Sequence, residues 1–184
     1  MTEDMQLADV PDLAGVTEDK PEPFSDGWYS GEILEKRAFT DSNGNDRIFL
    51  SSDEPSQNGA GRNIRLQVTL TRASDGRTLN MNKLINYRTE DLSQESVQAV
   101  TAHKDKVKEG EQWGTLFRPF MALNQLGTLQ RIAGVRQLQR NGNGGLDIHP
   151  LFGKKIYARI GDDDRNPQYK MIKEFRDVAP KKLL

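Results

Sequence analysis

The chain has 184 residues, 35% of them apolar and 29% charged, with a formal net charge of −1; that is enough for one domain with a real core. Cysteine is absent, which excludes disulfides, thiol catalysis and thiolate metal sites, and the two histidines, His103 and His149, lie too far apart in sequence to favour a His-based metal centre. No run is apolar enough to cross a membrane and no basic-then-apolar leader is visible, so a reducing cytoplasm is the expected location.

Residues 1–26 carry Glu3, Asp4, Asp9, Asp12, Glu18, Asp19, Glu22 and Asp26 against Lys20 alone, a net of −7 that leaves +6 for the remainder. This composition, closed by Pro21 and Pro23, predicts a disordered acidic arm over 1–26. The arm is either a solubilising appendage or a segment that folds back onto a basic face and competes with its ligand. Gly27 to Ala38 predicts a strand with Tyr29 and Ile33 inward and Trp28, Ser30 and Glu32 outward. Asn43-Gly44, inside a polar run over 40–46, predicts a hairpin. Arg47 to Ser51 is the returning strand, with Ile48 and Leu50 inward and Arg47 and Phe49 outward. A polar loop over 53–61 follows.

Asn63 to Arg72 is the clearest strand. Ile64, Leu66, Val68 and Leu70 share one face, and Asn63, Arg65, Gln67, Thr69 and Thr71 the other. The wet face holds no acid and offers a guanidinium, amides and hydroxyls, which suit an extended polyanion. Ser74-Asp75-Gly76 turns the chain into a strand over 77–87, with Leu79 and Met81 buried and Leu84 and Ile85 as further core candidates. Residues 90–110 read as a poorly amphipathic helix, capped by Ser93, with a thin stripe of Leu92, Val97 and Val100. Thr115 to Ala133 is the strongest helix, with Thr115 able to cap it, Gly134 to end it and Pro119 delaying or loosening its start. Trp113 is expected to pack at its entry. A Gly- and Asn-rich link over 137–145 leads to a strand over 154–160, a polar hairpin loop over 162–168 and a partner strand over 169–175, with Tyr169 in the core. Residues 181–184 form a short C-terminal tail. The fold class predicted is mainly β with a helical insertion at about 90–134 (α+β): a small curved barrel in which the first and last strands meet and no edge is left open.

Three segments carry a family resemblance. They are G-W-Y-S-G-E-I at Gly27–Ile33 with the Gly44-Asn45 turn; F-M-A-L-N-Q-L-G at Phe120–Gly127; and L-F-G-K-K-I-Y-A-R-I at Leu151–Ile160, followed by Y-K-M-I-K-E-F at Tyr169–Phe175 and Pro180. In order and spacing they resemble phage-encoded single-stranded-DNA-binding-like proteins of the OB-fold type. The resemblance spans about Gly27 to Pro180. The chain departs from the pattern in its long segments over 53–61 and 90–114, and in ending K-K-L-L rather than in an acidic tail. It implies an OB-like curved barrel of about five to six strands plus one or two helices over residues 27–180. It also implies single-stranded DNA as partner, no cofactor, and a role in phage DNA replication or recombination in the cytoplasm of a bacterial host.

Single-strand binding needs cations along the phosphates and flat rings for the bases. In an OB fold these lie on strands two and three and on the loops joining strands one–two and four–five. Mapped here, the resemblance nominates Arg47 and Phe49 on strand two and Arg65 and Arg72 on or beside strand three, with loops over 39–46 and 161–168. Trp28, Tyr87, Lys155, Tyr157 and Arg159 are added as outward-facing by parity, and Lys170 as a local counterweight to Asp162-Asp163-Asp164. That acid run is read as a solvated hairpin tip, since consecutive loop carboxylates point apart and no fourth ligand is apparent. No nucleophile elbow, phosphate loop or His-rich metal motif is present, so no enzymatic activity is expected. The rival reading is a virion structural or adaptor protein that assembles through its barrel, as a homo-oligomer, without nucleic acid. A third is an accessory that recruits replication or recombination proteins through the acidic arm.

Overall fold

The computed structural model describes residues 22–57, 59 and 61–184. The strands are β1 (Gly27–Leu34), β2 (Lys36–Thr40), β3 (Asp46–Leu50), β4 (Ser52–Pro55), β5 (Arg62–Thr71), β6 (Thr78–Tyr87), β7 (Lys155–Asp162) and β8 (Lys170–Arg176). The helices α1 (Gln94–Lys108) and α2 (Phe117–Ala133) fall between β6 and β7. The chain is therefore mainly β, antiparallel, with two helices, and no described helix is long and apolar enough to cross a membrane.

Alternation in β5 organises the main sheet. Ile64, Leu66, Val68 and Leu70 are all at most 2% exposed. β5 is long enough to serve three neighbours. Its whole length pairs with β6, Gln67 to Thr71 pair with β1, and Arg62 to Arg65 pair with β4. β1 then pairs with β7, and β7 with β8. Tyr29 and Ile33 of β1 join the core as expected, with Ile156, Ala158 and Ile160 of β7 and Ile172 and Phe175 of β8. α2 closes the core from below with Ala122, Leu126, Leu129 and Ala133, an i, i+4, i+7, i+11 stripe. It starts at Phe117, after a 3-10 turn over Gly114–Leu116, so Thr115 is not its cap. It ends where Gly134 takes the left-handed conformation, φ 73°. Ser93 does cap α1, accepting from the Ser96 amide at 3.1 Å. Trp113 stacks on Phe120 at the entry to α2, with centroids 4.0 Å apart.

Several expectations are corrected. β1 ends at Leu34, and Lys36 to Leu50 form a separate two-stranded hairpin, β2–β3, outside the main sheet. Ile48 and Leu50 are 63% and 57% exposed, not inward, because none of the described residues covers that side of the hairpin. Part of the 53–61 loop is strand β4. Leu84 is 46% exposed and Tyr169 64%, so neither belongs to the core. The acidic arm lies outside the described residues up to position 21, but its last part is fixed to the body. Phe24 packs on Tyr29, the Tyr29 hydroxyl donates to the Ser25 carbonyl at 2.8 Å, and Lys170 reaches Asp26. The C-terminal tail is also anchored, the Leu184 amide donating to the Trp28 carbonyl at 2.8 Å.

The expected barrel is not closed, and the first and last strands do not pair. The sheet curls until β6 approaches β8, yet these outer strands share no ladder. Lys83 stands in the seam instead: its Nζ donates to the Ile172 carbonyl at 3.0 Å and lies 5.9 Å from the Phe175 ring centre. An inward lysine on an edge strand blocks strand addition there.

A buried carboxylate ties the other end together. The Asp53 side chain has no exposed surface and accepts from Arg62 Nε (2.8 Å), the Tyr87 hydroxyl (2.5 Å) and the Leu146 amide (2.7 Å).

Two predictions follow from these groups. Asp53→Asn leaves Arg62 buried beside a neutral partner, and should cost about 3–5 kcal/mol in urea denaturation; a loss within that of an ordinary surface substitution would refute the role. For Lys83, burial first and Lys173 second hold the ammonium below its ordinary 10.5. Between the lowered value and 10.5 the unfolded chain keeps a proton that the folded chain has released, so this group's contribution to stability rises with pH in that window. The wild type should gain in urea midpoint relative to Lys83→Met as pH climbs toward 10.5, whereas a pH-independent difference would mean the ammonium is solvated.

Candidate nucleic-acid interface

Cross-strand register decides which outward side chains meet. On the outer face of β5–β6, Arg65 stands opposite Leu84, Gln67 opposite Asn82 and Thr69 opposite Asn80. The β2–β3 hairpin lies over this face. Arg37 and Phe39 alternate with exposed Lys36, Ala38 and Thr40, and register places Arg37 opposite Phe49. The Phe39 and Phe49 rings are stacked, centroids 4.7 Å apart and planes 6° from parallel. The Arg37 guanidinium sits 5.2 Å from the Phe49 ring centre and 5.8 Å from that of Phe39. Its Nε donates to Gln67 Oε1 at 3.3 Å. Gln67 is thereby fully buried although it belongs to the polar face, and its Nε2 has no partner among the described residues.

The hairpin is held at both ends. At its base the Ser51 hydroxyl donates to the Leu34 carbonyl (2.6 Å) and accepts from the Gln67 backbone N–H (2.8 Å). At its tip Asp41 accepts from the amides of Asn43 and Asn45 and from Arg47 Nε. The Asn45 amide first, then Arg47, hold the Asp41 carboxyl below its ordinary range.

Beside the hairpin runs a groove of about 800 Å³ between β6, the loop over 163–169 and the start of β8. Arg37, Arg77, Lys83 and Lys170 supply its cations, Glu22 and Asp163 its acids, and Phe24, Leu84 and Tyr169 apolar surface. Tyr169 is an exposed ring at the rim. Lys170 Nζ is 2.5 Å from both Asp162 and Asp26, which raise its pKa in that order. No group of three or more His, Asp or Glu among the described residues is placed to hold a metal ion.

The nominated residues divide. Arg65 lies on the sheet face that carries the hairpin and Phe49 on the hairpin itself, neither lining the groove, and Arg65 is exposed with no acidic partner among the described residues. Arg47 is at the hairpin tip, paired to Asp41 at 3.1 Å. Trp28, Lys155, Tyr157 and Arg159 gather elsewhere, on the outer face of β1–β7, and none of them lines the groove. There Trp28 is opposite Arg159 and under the Arg176 guanidinium at 4.7 Å, and Lys155 is 5.3 Å from the Tyr157 ring centre. Arg72 is tied to Asp75 at 2.5 Å and to Phe24, and its side chain is 12% exposed. Tyr87 is a correction: it is 4% exposed, on the same side of β6 as Ile85, with its hydroxyl on Asp53. Burial, then the Asp53 bond, push that phenol above its ordinary range.

Arg37, Phe39, Tyr169 and Arg176 were not among the nominees. Arg37 and Phe39 had a legible signal: counted back from Asn43-Gly44, they take the same parity as Arg47 and Phe49 counted forward.

No family model, curated protein or solved structure matches this chain.

The buried amide gives a discriminating pair of variants. Gln67→Met removes an unmade donor and should be neutral or stabilising in thermal melts. Arg37→Ala strips the amide of its remaining partner and uncovers both rings, and should cost about 1–3 kcal/mol. A large loss in Gln67→Met would mean the Nε2 donor is satisfied in solution.

Proposed function

We propose that this protein is an OB-like single-strand binder that coats single-stranded DNA without sequence preference, in phage replication or recombination. The strand order supports the fold reading. β1 is shared between β5 and β7, β5 leads to β6, the helices follow, and β7–β8 close the chain. On the proposed reading, β1, β5, β6, β7 and β8 would be the strands of a five-stranded, partly open Greek-key barrel. On this reading the strand-two assignment moves from Arg47–Ser51 to β5, and the β2–β3 hairpin becomes an elaboration of the loop between strands one and two.

The observation that carries the function is the meeting of rings and cations at the surface this fold class uses. The hairpin brings Arg37 to one side of the groove, with the stacked Phe39 and Phe49 rings against its guanidinium, and the loop between strands four and five brings Tyr169 to the groove as well. Stacking on such rings tolerates any base. For the phosphates, Arg77 lines the groove and Arg65 stands exposed on the outer face of β5 beside the hairpin. The second reading, assembly as a virion or adaptor component, has Ile48 and Leu50 in its favour, exposed together on the free side of the hairpin. In that case size-exclusion chromatography shows self-association, which Ile48→Asp disperses, and oligonucleotides bind no more tightly than to an unrelated protein.

The test is anisotropy of labelled oligo-dT at two ionic strengths. Phe49→Ala should weaken binding about 5- to 150-fold, the equivalent of roughly 1–3 kcal/mol for one stacked base. Arg65→Ala should flatten the salt dependence by about 0.7 in the log–log slope, the share of one phosphate contact. Trp28→Ala and Lys155→Glu, away from the groove, should change little. Equal affinity in the Phe49 and Arg65 variants removes the site, and no binding at low salt removes the function.

A further inference from the structure

A second groove, on the far side of the helices, has no part in the reading above. It lies between α1, α2 and the segment over 136–146, with a volume of about 850 Å³. Its floor is apolar, built from Val97, Val100, Phe120, Leu123, Leu126 and Leu138. Val97 is 41% exposed, although it points along the same stripe as buried Val100. The rim is cationic: Lys104 from α1, Arg136 and Arg140 from the following segment. Among the described residues no acid lines it, and none of the three cations has an acidic partner.

Gly127 sits in this groove at the middle of α2. A Cβ there would meet nothing nearer than the Arg131 guanidinium at 3.7 Å, so packing within the chain does not demand glycine. In mid-helix glycine costs about 1 kcal/mol relative to alanine. What it provides is helix backbone open to close approach from outside.

We propose that this groove binds the chain's own acidic N-terminal segment, around residues 3–16. The match is chemical. The segment interleaves Met5, Leu7, Val10 and Leu13 with Glu3, Asp4, Asp9 and Asp12, and holds no cation before Lys20. Apolar side chains fit the floor and carboxylates the rim, whereas a nucleic acid would leave the apolar floor unfilled. Reach permits it. The chain enters the described region at Glu22, whose carbonyl accepts from Arg72 at the start of the β5–β6 turn. The groove opens beside the other end of β6, about 33 Å away for ten residues at ~3.3 Å each. Leu7 is fifteen residues before Glu22, an extended span of about 50 Å. A tether of this kind makes a weak contact sufficient, since the effective concentration is on the order of millimolar.

Zero-length carbodiimide cross-linking of the full chain, read by mass spectrometry, tests this. Lys104 should join to Asp9, Asp12 or their acidic neighbours within one chain, and Arg136→Glu/Arg140→Glu should reduce that product at least fivefold while leaving oligo-dT affinity intact. Links from the segment to Lys83 or Lys170 instead, or none at all, overturn the proposal. In a mixture of ¹⁴N- and ¹⁵N-labelled protein, heavy–light Lys104 links would overturn it in favour of a second copy's segment. Because the readout needs no DNA, its failure is separate from failure of the binding function.

Discussion

The Asp53 carboxylate is the contact on which the arrangement of the rest depends. Its two oxygens take a guanidinium from β5, a phenol from β6 and a backbone amide from Leu146, 93 residues further along. Arg62 continues the network to the carbonyls of Asp53 and Asn143, and a Cβ on Gly145 would fall on its guanidinium. A charge this deep is costly to bury and tolerable only when fully paired. The pairing fixes where the segment after α2 must lie. That segment delivers Leu146, Ile148 and Leu151 to the core and feeds β7 into its place beside β1.

With one end fixed in this way, the other end of the sheet is left open. β6 and β8 approach without a ladder and Lys83 reaches across between them, so the seam has a cation where a barrel would have a ladder. The groove begins at this seam. Closing it with backbone hydrogen bonds would bring the two strands to about 4.8 Å and remove the floor on which Leu79, Met81 and Met171 stand. The open edge and the groove are therefore one feature, and the lysine that prevents edge-to-edge aggregation also keeps the cleft from collapsing.

Much of the sheet was legible because period two is strict in β5, β1 and β7: Ile64, Leu66, Val68, Leu70, Tyr29 and Ile33 are all inside. Alternation failed where its assumptions did. β3 carries three consecutive apolar residues, Ile48, Phe49 and Leu50, and a two-stranded hairpin turns only the aromatic side toward the sheet, with Phe49 still 37% exposed and Ile48 and Leu50 left in water. In β6 the adjacent pair Leu84-Ile85 made the phase ambiguous, and Tyr87 followed Ile85 inward. Asp53 had no local signature, because an acid in a polar stretch looks solvated until its partners are known to converge. The candidate site was half visible for a geometric reason. Parity tells which face a side chain takes, not which way a curled sheet turns that face, so Arg65 and Tyr157 share an outer surface and still serve different regions.

The groove's cations bear on how it can hold a ligand. Lys170 is paired with Asp26 and Asp162, Lys83 is committed to the seam, and Arg77 leans on the Glu22 carbonyl at 3.5 Å. Arg37 is held between two rings and an amide, and Arg65, on the neighbouring sheet face outside the groove lining, has no acidic partner among the described residues. Few charges are therefore free to release counterions, and a ligand bound here would show a shallow salt dependence compared with proteins that track many phosphates. On the proposed reading, the binding energy would then come mainly from flat surfaces. A stacked Phe39–Phe49 pair would present to a base a ring ordered in advance, so less side-chain entropy would be lost on contact. Arg37 fits the same logic, because a guanidinium lying near both rings and tied to Gln67 orders the aromatic pair as much as it attracts a phosphate.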